Sequence, residues 1–83
     1  MLFMYLSKSG KDATITIKSH KRDKSKTYIK IKVKDLINVT YTKVKEDDWI
    51  IDFQLDSIGS NFRYLTWERD VIALKKFIEK NKA

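Results

Sequence analysis

The sequence has no cysteine and no proline, a single histidine and only two glycines, and each shortage removes a class of explanation. Without cysteine there is no disulfide framework, no thiolate zinc site and no cysteine nucleophile, and a reducing, cytoplasmic setting is expected. Without proline, and with glycine only at Gly10 and Gly59, polar and charged clusters must punctuate the chain, which leaves the element boundaries soft. The histidine, His20, stands between Ser19 and Lys21, where no carboxylate is evident to orient it for proton transfer, and it reads as an exposed loop residue. Nucleophile motifs, phosphate loops and dinucleotide fingerprints are missing too, so neither catalysis nor a cofactor is expected. The apolar run Leu2-Phe3-Met4-Tyr5-Leu6 is too short to span a bilayer. It lacks the basic leader and the small-residue cleavage site of a signal peptide, and reads as a buried strand.

The 83 residues allow one domain over 1–83, because separate cores need about 50 residues each. Ten isoleucines, four phenylalanines, four tyrosines and two tryptophans favour a β-rich core. The net charge of +7 is unevenly distributed: residues 8–34 hold ten basic and two acidic side chains, a net of +8, and residues 35–83 hold eight against nine. Charge segregated in this way makes a directional field that attracts polyanions.

Period-two alternation and polar breaks place strands at 2–6, 13–18, 28–34, 37–45, 49–56 and 62–66, and a helix at 67–81. In the second and third strands, pairing Ile17 with Ile29, Ile15 with Ile31 and Ala13 with Val33 puts every apolar residue on one face. The opposite face then sets Lys18 against Tyr28, Thr16 against Lys30, Thr14 against Lys32 and Asp12 against Lys34, so no lysine opposes another. In the fourth and fifth strands the inward set is Ile37, Val39, Tyr41, Ile51, Phe53 and Leu55. Thr66 is positioned to accept bonds from the first helical amides, with Glu68 and Asp70 in the first turn and Lys75, Lys76, Lys80 and Lys82 toward the far end, as the helix dipole prefers. Trp67, Val71, Leu74 and Ile78 form one apolar stripe, with Phe77 beside it. The expected fold class is α+β: a twisted antiparallel sheet of five to six strands in meander order, packed by one C-terminal amphipathic helix.

The stretch Lys34-Asp35-Leu36-Ile37-Asn38-Val39 before a hairpin, then another strand and a terminal amphipathic helix that starts near an aromatic, resembles the second half of a bacterial pleckstrin-homology-like domain over residues 27–81. The likeness lies in element order and carries no signature residues; the family fold has seven strands where this chain has room for about six. The resemblance implies a curved half-barrel plugged by the helix and used for protein or phospholipid binding.

Three constellations carry candidate chemistry. Lys18, Lys21, Arg22, Lys24, Lys26, Lys30, Lys32 and Lys34, with Tyr28 on the same face, form a lysine comb. Its same-face spacing of about 6.6 to 6.8 Å suits a phosphate backbone, and its scarcity of bidentate donors implies weak sequence specificity. Thr14 and Thr16 add hydroxyls to that face. Val44, Ile50, Phe62 and Tyr64 fall by parity opposite the helix-covered face and form a candidate protein interface. Glu46-Asp47-Asp48 with Asp52 and Asp56 lacks the spaced oxygen ligands and turn glycine of a cation loop, so it reads as a solvated hairpin tip, and no metal is expected.

The sequence therefore predicts a small non-enzymatic binding module that engages DNA, RNA or a nucleic-acid-handling complex. The alternatives are a protein-protein adaptor or inhibitor of a host or defence factor, of the phage or mobile-element type, and a module that binds an acidic membrane surface.

Overall fold

The computed structural model of the chain describes residues 2–19, 27–56 and 59–81. Strands β1 (Phe3–Ser7), β2 (Thr14–Lys18) and β3 (Thr27–Lys32) form one antiparallel sheet in the order β1-β2-β3. Strands β4 (Asn38–Lys45), β5 (Asp48–Gln54) and β6 (Asn61–Trp67) form a second in the order β4-β5-β6, and helix α1 (Glu68–Asn81) follows. The α+β class, the antiparallel pairing and the C-terminal helix agree with the sequence reading. The continuous sheet of five or six strands does not: the chain makes two three-stranded meanders.

The break lies where the alternation of β3 ends. Val33–Asp35 is a 3-10 turn in which Leu36 N donates to Val33 O at 3.1 Å. A facing 3-10 turn, Gly10–Asp12, enters β2, and Val33 N donates to Ala13 O at 3.0 Å between the two corners. A 3-10 turn consumes the amides that a ladder would need and redirects the backbone, so the strand expected over 28–34 stops at Lys32. Lys34 stands on the turn, so the expected pair of Asp12 with Lys34 does not form in the ladder, while Ala13 and Val33 still meet through this corner bond with both side chains in the core.

Within the first sheet the alternation of β2 and β3 sets the register. Ile15 opposes Ile31, Ile17 opposes Ile29, Thr14 opposes Lys32 and Thr16 opposes Lys30, since a shift by one would turn the isoleucines to water. At the far end a bulge between Ile17 and Lys18 puts Lys18 against Thr27, where simple alternation had set it against Tyr28.

A single core lies between the inner faces of the two sheets and α1. Ile15, Ile17, Ile51, Phe53 and Leu74 are fully enclosed, with Tyr64, Val71, Ile31 and Val33 beside them. Val39, Tyr41, Trp49, Leu55, Phe77 and Ile78 pack against this cluster as partly buried residues. Ile37, expected inside, is 49% exposed; it precedes β4 and contributes its backbone, Ile37 N donating to Gln54 O at 3.0 Å.

Three side-chain ties fix the helix. Asp47 Oδ1, at the β4-β5 turn, accepts from Glu68 N at 3.1 Å and fills the capping role expected of Thr66. The Thr66 hydroxyl is instead bonded to the Asp70 carboxylate. At the other end Asn81 accepts from Gly10 N at 2.9 Å and donates to Phe77 O at 2.8 Å, which clasps α1 to the first 3-10 turn. Gly10 has a positive φ of 62° there, a conformation in which glycine has no Cβ penalty.

Candidate functional site

The outer face of the first sheet gathers most of the described cations of the basic segment. Across its three strands the register runs Ser7 to Thr14 to Lys32 and Tyr5 to Thr16 to Lys30, with Phe3 against Lys18. Lys30 and Lys32 are exposed, as are Lys8 and Lys34 at the corners. The Lys18 ammonium lies over the Tyr5 ring, 5.2 Å from its centroid, a cation–π contact that holds the charge on this face without neutralising it.

These cations are not quenched by the acidic hairpin. Among the described residues the ion pairs are Lys45 with Asp48 at 4.0 Å, inside that hairpin, and Arg63 with Asp52 at 3.2 Å on the second sheet. Asp47 is engaged by the helix amide. The hairpin expected to be a solvated tip therefore has one carboxylate employed as a helix cap. Lys21, Arg22, Lys24 and Lys26, and with them His20, lie outside the described residues.

Tyr28 leaves the lysine face. Its ring packs 5.7 Å from Phe62 of the second sheet, tilted by 49°, though the residue is 63% exposed. The bulge beside it breaks the alternation that had set Tyr28 among the lysines. Two rings not included in the comb, Phe3 and Tyr5 on β1, occupy the lysine face in its stead. The run Leu2 to Leu6 is apolar throughout, so nothing in the sequence marks which of its side chains turn outward.

The expected protein interface comes apart for a related reason. Phe62 stacks on the enclosed Phe53 with centroids 6.3 Å apart, and Tyr64 is 2% exposed, so both face the core. The Tyr64 hydroxyl donates to Leu2 O at 3.2 Å and lies 3.4 Å from Asp70 Oδ2. Burial pushes the phenol pKa of Tyr64 above its ordinary value, opposed by the Thr66 hydrogen bond and reinforced by the Asp70 charge. Burial likewise raises that of Tyr41, whose ring carries the Lys75 ammonium at 4.9 Å. Val44 and Ile50 do face outward, and the residue directly opposite Ile50 is Leu65, 65% exposed. The signal for the correct parity of β6 was Arg63: a cation at that position belongs outside, which turns Phe62 and Tyr64 in.

A depression of about 450 Å³ is cut into the first sheet's outer face and lined by Ser7, Lys8, Thr14, Thr16, Lys30, Lys32 and Asp35. Three ammonium groups thus share it with one carboxylate, none of them at ion-pair distance from it. Such a lining attracts anions and supplies hydroxyl donors. No helix among the described residues is long and apolar enough to cross a membrane. No protein-family model, no curated protein and no solved structure matches the chain.

Proposed function

We propose that the chain is a non-enzymatic binding module that engages nucleic acid through the outer face of its first sheet, with weak sequence specificity and in a cytoplasmic setting. The observation that carries this reading is the register of Lys18, Lys30 and Lys32 on one face, with no carboxylate at ion-pair distance among the described residues. Lysines on β3 also guard a sheet edge against strand pairing, but Lys18 is on the central strand, where that purpose does not apply. Lysine ammoniums act as point charges on phosphates and read no base edges, hence the low specificity.

The test is fluorescence anisotropy with single- and double-stranded oligonucleotides at about 50 and about 200 mM salt. Binding is expected to weaken with salt, by about 0.9 in the logarithmic slope for each duplex phosphate neutralised. Replacing Lys30 and Lys32 together by alanine is expected to flatten the slope by about two contacts. An unchanged slope overturns the reading.

A second reading is a protein contact through Val44, Ile50 and Leu65, favoured by the exposure of Leu65 directly beside Ile50. It predicts salt-insensitive association, lost on Leu65→Ser. The pleckstrin-homology-like likeness implies a third reading, binding of an acidic membrane surface: the element order from β3 to α1 supports it, and pelleting with vesicles that contain acidic lipid tests it.

A further inference from the structure

We infer, resting on the nucleic-acid reading, that the depression between β1, β2 and β3 is a seat for one phosphate group carried on a sugar. Lys8, Lys30 and Lys32 are its cations, and Ser7 and Thr16 its hydroxyl donors. The volume of about 450 Å³ falls among small-ligand clefts of roughly 300 to 1,000 Å³ and exceeds what a bare anion fills.

Two side chains in the lining bear on a ligand. Thr16 is 7% exposed, and its hydroxyl makes no hydrogen bond to a described residue. The hydroxyl keeps solvent access, since the sealed and unpartnered side-chain polar atom among the described residues is Trp49 Nε1, so it is open to a ligand in the depression. Lys8 is held at a φ of 63°, in the left-handed region where glycine is the ordinary occupant. Strained backbone of this kind concentrates at functional sites, and Lys8 and the open Thr16 hydroxyl line one depression. Thr14 is different: its hydroxyl donates to Asp12 O at 2.8 Å and has no proton to offer a ligand. Asp35, also in the lining, opposes an anion but is outnumbered by the three ammoniums.

The experiment follows amide NMR shifts of the full chain during titration with inorganic phosphate, then with oligonucleotides that carry a 5′-phosphate or a 5′-hydroxyl. Saturable shifts confined to Ser7, Lys8, Thr14 to Thr16 and Lys30 to Lys32 are expected. Thr16→Val is expected to weaken phosphate about tenfold, the share of one hydrogen bond to a charged group, with a melting temperature no lower than that of the parent. Lys8→Gly is expected to weaken phosphate as well without loss of stability, since it removes the cation and relieves the backbone together. Shifts spread evenly over every lysine, Lys75, Lys76 and Lys80 included, or an unaltered affinity in Thr16→Val, overturn the seat.

Failure of the seat is distinguishable from failure of the nucleic-acid reading. Oligonucleotides that bind through Lys30 and Lys32 while phosphate shifts nothing refute the seat alone. Phosphate bound in the depression by a chain that ignores every oligonucleotide refutes only the nucleic-acid reading. Tighter binding of the 5′-phosphorylated oligonucleotide assigns the seat to a terminal phosphate, and equal binding assigns it to a phosphodiester within the strand.

Discussion

The two sheets share strand count and meander order, yet their outer faces treat charge in opposite ways. On the second sheet Asp52 takes Arg63 at 3.2 Å and the Asn61 amide at 3.0 Å, so its charges are answered within the face. On the first, Lys18, Lys30 and Lys32 have no carboxylate at ion-pair distance among the described residues, and the Lys18 ammonium lies over the ring of Tyr5. An internally paired face needs nothing from outside, whereas an unpaired one projects a field. Both faces are backed by the same core, so the difference between them lies in how their surface charges are paired.

That contrast is broken most directly by charge reversal. Lys30→Glu with Lys32→Glu is expected to lower oligonucleotide affinity at least about tenfold at moderate salt, measured by anisotropy, while the melting temperature stays nearly constant. Reversal of Arg63 to Glu, on the other sheet, is expected to leave oligonucleotide binding unchanged. Equal losses from both variants would show that net charge alone matters and that the first face is nothing special.

Next in size is the tie between the second sheet and the helix. Asp47→Ala removes the acceptor of Glu68 N and is expected to cost about 1 kcal/mol, the usual worth of a helix cap, in denaturant unfolding. Oligonucleotide affinity is expected to stay as it was, because the cap is remote from the first sheet's outer face. A cost near zero would mean that water serves this amide equally well.

How far the sequence spoke depended on whether alternation was clean. The register of β2 against β3 was legible because Thr14 to Lys18 and Ile29 to Lys32 alternate without exception, and the pairs Ile15 with Ile31 and Thr16 with Lys30 follow. The run Leu2 to Leu6 has no alternation, so Phe3 and Tyr5 on the lysine face were invisible. In β6, rings at Phe62 and Tyr64 compete with Leu65 for the inward side, and Arg63 was the deciding residue. The bulge at Lys18 and the 3-10 turn at Val33–Asp35 carry neither glycine nor proline, so neither the displacement of Tyr28 nor the division into two sheets was written in composition. The lysine face itself was legible in part, since Lys30 and Lys32 needed only the β3 alternation. The depression needed β1 and both corners as well.

A smaller effect concerns pH. The Tyr64 and Tyr41 phenols have pKa values raised above 10.0, chiefly by burial, so the folded chain keeps protons that the unfolded chain releases. Stability from this source is present in full below the ordinary phenol value and is lost as the pH rises through the higher folded value. Denaturant midpoints are expected to decline above about pH 10, and the decline is expected to be shallower in Tyr64→Phe. Parallel declines in the two proteins would remove Tyr64 from the account.

The smallest expected effect falls on the second face and decides what that face is for. Leu65 is 65% exposed and opposite Ile50, so Leu65→Thr uncovers little buried area and keeps a residue suited to a strand. Its stability change is expected to fall within about 0.5 kcal/mol, with oligonucleotide affinity unaltered. If the patch of Val44, Ile50 and Leu65 receives a protein, the same substitution abolishes a salt-insensitive complex while the salt-sensitive one persists. If a single substitution there weakens oligonucleotide binding instead, the two faces act as one surface, and the division of labour drawn between the sheets is wrong.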